Sequence, residues 1–246
     1  MFQRKPTVGV SLKMYFDLEK TAQYIRECAP LGPYALANKV DIFIIPDVLS
    51  LTAASTALRL EAPTIRLGAQ DCFWEDKGAY TGEISPTVLK QIGCSMVELG
   101  HAERRRLFGE TDADVAKKAI AAARNGMTPL VCIGEKTKGT TAEAVEECRP
   151  QIESILSQVS DEIIFAYEPV WAIGQAEPAS AEYVVTVTKE LRKLCGDREV
   201  RFLYGGSAGP GTFDAMREGV DGLFLGRFAH DPARFRAVIS EVGVGT

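Results

Sequence analysis

Residues 163–174 read IIFAYEPVWAIG: an apolar run, Ile163–Tyr167, meets Glu168 and Pro169 and passes into a second apolar stretch that ends on a glycine. A run this short that is apolar throughout suits a strand buried on both faces, and the proline just beyond it marks a stop. Working outward, the same signature recurs at Thr7–Val10, Asp41–Ile45, Arg66–Ala69, Met96–Leu99, Thr128–Ile133, Arg201–Tyr204 and Gly222–Leu225, which predicts eight strands. Between them lie longer segments with helical spacing. Examples are VAKKAIAAAR from Val115 to Arg124 and YVVTVTKELRKL from Tyr183 to Leu194, the second with Tyr183, Val184, Val187 and Leu191 on one face. Strand followed by helix, repeated, implies parallel strands joined by right-handed crossovers.

Eight such units can close into a barrel, and 246 residues is a fitting length for one. The expected class is therefore α/β, a single-domain (β/α)8 barrel spanning residues 1–246, since no linker or change of composition divides the chain. An open doubly wound sheet is the rival. It is disfavoured because no G-x-G-x-x-G opens the first helix and no G-x-x-x-x-G-K-[ST] occurs.

Hydrophobic residues make up 46% and charged residues 25%, enough to bury a large core without a membrane-scale apolar run. The formal net charge of −5 gives no general attraction for nucleic acid or an anionic membrane, so an anionic substrate would need a local positive site. The start, MFQRKPTVGV, lacks a secretory apolar stretch, and the cytoplasm is the expected compartment. Six scattered cysteines without a C-x-x-C pair are expected to be free thiols, with no metal role.

The segments beyond the strand ends are SLKM (11–14), ELGHAERR (98–105), AYEPVWAIGQ (166–175), YGGSAG (204–209) and FLGRFAHD (224–231). A βα barrel gathers such segments at one mouth and builds its active site there. Glu168, beside apolar residues that could exclude water, is the candidate base. His101 can donate to a carbonyl oxygen and pass protons between adjacent oxygens. Lys13 could face an anion or stabilise developing negative charge. Gly205 and Gly206 before Ser207, and Gly226 before Arg227, would leave backbone N–H groups open to a phosphate. Taken singly, each has an ordinary reading: a surface glutamate, a structural histidine, a surface lysine, turn glycines.

AYEPVWAIG, LGHAERR followed by FGET, CIGE, GAYTGEIS and YGGSA stand in an order that resembles the triosephosphate isomerase family, from Lys13 to about Gly226. The resemblance implies the TIM-barrel fold. It also implies an isomerase that works through an enediol, with Glu168 as base, His101 as electrophile and proton shuttle, Lys13 as electrostatic anchor and Glu103 in support. By the same likeness Gly174, Ser207 and the backbone at Gly226 bind phosphate, no cofactor is needed, and GAYTGEIS puts Thr81 near the other subunit's site in a homodimer. Three positions depart from the family pattern: Ser11 stands where asparagine is usual, QAEPAS follows AIG where Thr-Gly-Lys is usual, and Gly226-Arg227 replaces Gly-Gly. The expected reaction interconverts dihydroxyacetone phosphate and glyceraldehyde 3-phosphate. Isomerisation of a four-carbon erythrulose phosphate is the alternative, and a non-catalytic paralogue that binds a phosphorylated metabolite is a third reading.

Overall fold

A computed structural model describes residues 5–173 and 179–244. Eight parallel strands close a barrel in sequence order: β1 (Thr7–Ser11), β2 (Asp41–Ile45), β3 (Ile65–Ala69), β4 (Met96–Leu99), β5 (Thr128–Ile133), β6 (Ile163–Tyr167), β7 (Val200–Gly205) and β8 (Gly222–Leu225). β8 returns to pair with β1, so no strand edge is left open among them. The expected strands are all present, and three of them gain a residue at one or both ends. Helices start earlier than the apolar spacing predicts, because polar caps set their first turns. The helix Asp112–Arg124 begins at a capping box between Thr111 and Asp114, and Ser180 caps Ala181–Leu194.

Side chains alternate in and out along each strand, which divides the core in two. Phe43, Ile45, Met96, Leu130, Cys132, Ile164, Ala166, Leu203 and Phe224 fill the barrel interior as one cluster. The intervening residues, such as Ile42, Ile44, Val97 and Val131, join the helices in a second cluster outside the barrel wall. All six cysteines are free and buried. Among the described residues no helix is long and apolar enough to cross a membrane.

The two ends of the interior differ. At the strand starts Arg201 donates to Thr7 Oγ1 at 2.7 Å, pairs with Asp41 at 2.9 Å and also meets Glu162, while Arg66 donates to Thr128 Oγ1 at 2.8 Å. This network pairs most of the polar groups that the alternation forces inward, though Arg201 Nε is left without a partner among the described residues, and it plugs that end. The opposite end stays open and carries the segments singled out above.

Close strand contacts depend on two glycines. A Cβ at Gly9 would lie 1.9 Å from the Phe43 ring in the barrel interior, and one at Gly222 would lie 1.7 Å from the Thr7 carbonyl oxygen. Gly222 opposes backbone rather than a mobile side chain, so the clash has no local escape. Gly222→Ala should therefore lower stability by about 1–3 kcal/mol or more, seen as a fall in the urea midpoint with little change in slope. A midpoint equal to that of the unmodified protein would show that β1 and β8 have slack at this point.

Candidate active site

β4 ends at Leu99, and Gly100, at φ 68°, turns the chain so that His101 caps the helix Ala102–Phe108. His101 Nδ1 accepts the Glu103 backbone N–H at 3.1 Å. A nitrogen that accepts carries no proton, so this bond assigns the ring proton to Nε2. Nε2 faces Glu168 Oε2 at 3.5 Å. His101 and Glu168 are both buried, with 8% and 7% of their surfaces exposed.

Glu168 follows β6 directly, and its N–H donates to Ile133 O at 2.8 Å. Two glycines make room for it. A Cβ at Gly134 would lie 1.9 Å from the Glu168 carbonyl oxygen, and one at Gly205 would lie 2.3 Å from Oε1 and 2.4 Å from Cγ. The glycines of CIGE and YGGSA thus make room for the same residue from either side, the first for its backbone carbonyl and the second for its carboxylate. Behind it, buried Glu135 accepts from Tyr167 Oη at 3.0 Å, Trp171 Nε1 at 2.6 Å and Tyr183 Oη at 3.0 Å, which fixes the chain on both sides of Glu168.

Lys13 holds a left-handed backbone, φ 49°, unusual for a residue other than glycine. Gln70 Nε2 donates to its carbonyl at 2.8 Å, and its own Nζ donates to Glu103 Oε1 at 2.7 Å. Burial works against the lysine charge, but the hydrogen bond and charge of Glu103, with Glu168 and Glu98, hold its pKa above the ordinary value. Burial likewise opposes the Glu103 carboxylate, and Lys13 and His101 outweigh it, leaving that pKa below the usual range.

Ser11, Lys13, His101, Glu103 and Glu168 line one cavity together with Gly206, Ser207, Gly226 and Arg227. The structure therefore gathers nearly all of the residues singled out in the sequence. Gly205 stands beside the carboxylate rather than in the cavity lining, and Gly174 lies outside the described residues. Arg227 places its guanidinium 5.9 Å from the centre of the Tyr15 ring, a cation–π contact at the cavity rim.

Sequence reasoning missed two residues, Glu135 and Glu98. Glu98 follows Met96 on the inward face of β4, is 3% exposed, and accepts from Ser11 Oγ at 2.8 Å. Burial pushes its pKa up to about 7, against the lowering effect of His101 and the Ser11 hydrogen bond. The available signal was a carboxylate inside a strand that is otherwise apolar on both faces, where an unpaired charge is costly.

The sequence profile of the triosephosphate isomerase family matches residues 6–242. The chain belongs to the triosephosphate isomerase family. Among its relatives, an L-erythrulose-1-phosphate isomerase of Pectobacterium atrosepticum is 46% identical over 98% of this chain and 97% of its own length. One with the same name from Rhizobium etli is 41% identical over 96% and 91%. A triosephosphate isomerase of Moorella thermoacetica is 35% identical over 96% and 98%. The chain is an isomerase, and members of its family act on small phosphorylated sugars.

The Gly205 contact gives a test that separates position from stability. Gly205→Ala must displace the Glu168 side chain, and a shift near 1 Å in a reacting group can cost about 100-fold in rate. Turnover in an isomerase assay should fall by that order, while the urea midpoint moves little because the obstructing atoms belong to one side chain. Full turnover in the variant would mean that the carboxylate position is not constrained from this side.

Proposed function

We propose that this chain moves a proton between adjacent carbons of a phosphorylated hydroxycarbonyl compound through an enediol. One observation carries the reading: Glu168 Oε2 and His101 Nε2 lie 3.5 Å apart, with Lys13 on the same cavity. Glu168 takes the proton from the carbon next to the carbonyl. His101 donates from Nε2 to the carbonyl oxygen and relays the proton between the two enediol oxygens. Lys13 supplies a fixed positive charge as negative charge develops on oxygen, and Glu103 holds that lysine in place. This division between carboxylate base and histidine electrophile is the one known for triosephosphate isomerase. The phosphate is held by Ser207, by backbone N–H groups at Gly206 and Gly226, and by Arg227; Gly174 belongs to the same reading.

Dihydroxyacetone phosphate and glyceraldehyde 3-phosphate are the smallest pair this chemistry serves. A specific observation favours the longer pair, L-erythrulose 1-phosphate and D-erythrulose 4-phosphate. Ser11 replaces the family's asparagine, and its hydroxyl turns to Glu98, so position 11 offers a substrate no amide and takes up less of the cavity beside Lys13. Relatives with the erythrulose name agree with that preference. One added hydroxymethyl alters discrimination by only about 1–3 kcal/mol, so turnover of both substrates is compatible with the reading.

The test is isomerase activity on both substrates together with solvent deuterium exchange. The unmodified protein should exchange deuterium into the carbon that loses its proton, and Glu168→Gln, which keeps the shape without the base, should abolish exchange. Exchange at the parent rate in a folded Glu168→Gln protein removes Glu168 as the base.

A homodimer belongs to the same reading. Met14, Leu107 and Phe108 are exposed at 88%, 60% and 70% and line a second cavity next to the active site, with Tyr15 and Gln70. The exposed Tyr80–Thr81 segment of a second copy has the character to fill it. Sedimentation equilibrium should give twice the chain mass of 26.7 kDa. A single-chain mass at assay concentrations would overturn the dimer.

A further inference from the structure

Glu98 is a carboxyl group that the proton-transfer scheme leaves unused. Glu168 is the base, Glu103 anchors Lys13, and the ionic network of the barrel floor lies at the other end of the strands. Its direction follows from the strand period: Met96 is in the interior cluster, so Glu98 points inward one pleat nearer the mouth, in register with interior Leu130. There it lines both cavities at the mouth. Among the described residues its only side-chain hydrogen bond comes from Ser11 Oγ, to Oε2, and none reaches Oε1. Oε1 is not sealed in the core, so a polar group of a molecule in the cavity can meet it.

The barrel order says what can reach it. In a closed ring of eight strands β4 stands across from β8. The proposed phosphate grip is at the ends of β7 and β8, at Ser207, Gly226 and Arg227. A small molecule held there by its phosphate directs its far carbon toward β4. In dihydroxyacetone phosphate that carbon carries one hydroxyl, which takes part in the enediol. In L-erythrulose 1-phosphate it also bears a hydroxymethyl group, whose hydroxyl has no partner in the enediol chemistry.

We infer that Glu98, oriented by Ser11, recognises the terminal hydroxyl of a four-carbon substrate and is the residue that sets substrate length. This rests on the four-carbon reading above. Burial keeps the carboxyl protonated to about pH 7, so Oε1–H can donate to that hydroxyl while Ser11 occupies Oε2. Glu98 then acts on specificity and leaves the proton transfer to Glu168 and His101.

The experiment compares kcat/KM for L-erythrulose 1-phosphate, its 4-deoxy analogue 3-hydroxy-2-oxobutyl phosphate, and dihydroxyacetone phosphate. The parent should prefer the hydroxyl-bearing compound to the deoxy analogue by roughly tenfold or more, the usual weight of a buried hydrogen bond. Glu98→Leu should erase that preference and shift the ratio toward the three-carbon substrate. Glu98→Gln, which keeps a donor and an acceptor, should restore most of it. Ser11→Asn, which replaces the hydroxyl that orients Glu98, should shift the ratio in the same direction as the leucine variant. Four-carbon turnover by the parent with equal ratios in parent and Glu98→Leu overturns the role of Glu98 alone. Should the leucine variant not fold, a parent that turns over the hydroxyl and deoxy compounds equally well overturns that role just as firmly. A parent with no four-carbon turnover overturns both the inference and the reading beneath it.

Discussion

Everything at this site follows from the constraint that a closed parallel barrel sends every second side chain into a space that water does not fill. Apolar residues satisfy that constraint along the middle of the strands, where Phe43, Leu130, Ile164 and Leu203 meet. Polar residues can meet it only at the ends, and the two ends do so differently. At the strand starts the groups neutralise one another, with Arg201 shared between Asp41 and Glu162. At the strand finishes Ser11, Glu98 and Glu168 converge on a cavity, and their pairing is incomplete. Stability is served at the closed end, and chemistry is left to the open one.

Position at the open end is imposed mainly by backbone and by missing side chains. Glu168 is set between Gly134 and Gly205, each of which would collide with it if it carried a single extra carbon. Lys13 stays in a left-handed conformation because Gln70 grips its carbonyl. His101 is oriented by the N–H of the residue two positions on, a bond available only because a helix begins there. None of these restraints needs the substrate, so the groups are arranged before it arrives, which is where oriented reactions gain most of their advantage.

Much of this was legible in the sequence, for reasons that can be stated residue by residue. Strands buried on both faces give continuous apolar runs, so β2, β4, β5, β6 and β8 have the limits expected of them. Helix starts were less legible, because Thr111 and Ser180 act through hydrogen bonds to backbone that hydrophobic spacing does not register. Lys13, His101 and Glu168 stand out because they follow apolar runs. Glu98 and Glu135 do not: one sits inside a run and the other reads as part of a loop, and their importance depends on which side chains fold back to meet them. Gly205 shows a related limit. Its sequence context suggests a phosphate turn, whereas its bare Cα makes room for the Glu168 carboxylate, a need that arises only when β6 and β7 are side by side.

Charge at the open end ties these observations together. Glu98, Glu103 and Glu168 face Lys13 and, at the rim, Arg227. With all three carboxyl groups ionised the side chains would sum to a net negative charge, a poor welcome for a phosphate dianion in a partly desolvated cavity. A neutral Glu98 brings them to balance, and burial drives it that way by pushing its pKa up to about 7. The desolvation that makes an inward carboxyl costly on β4 is then also what makes it tolerable beside an anionic substrate. In the proposed scheme this leaves Lys13 to face charge that develops on the substrate, with Glu103 the carboxylate its ammonium already holds.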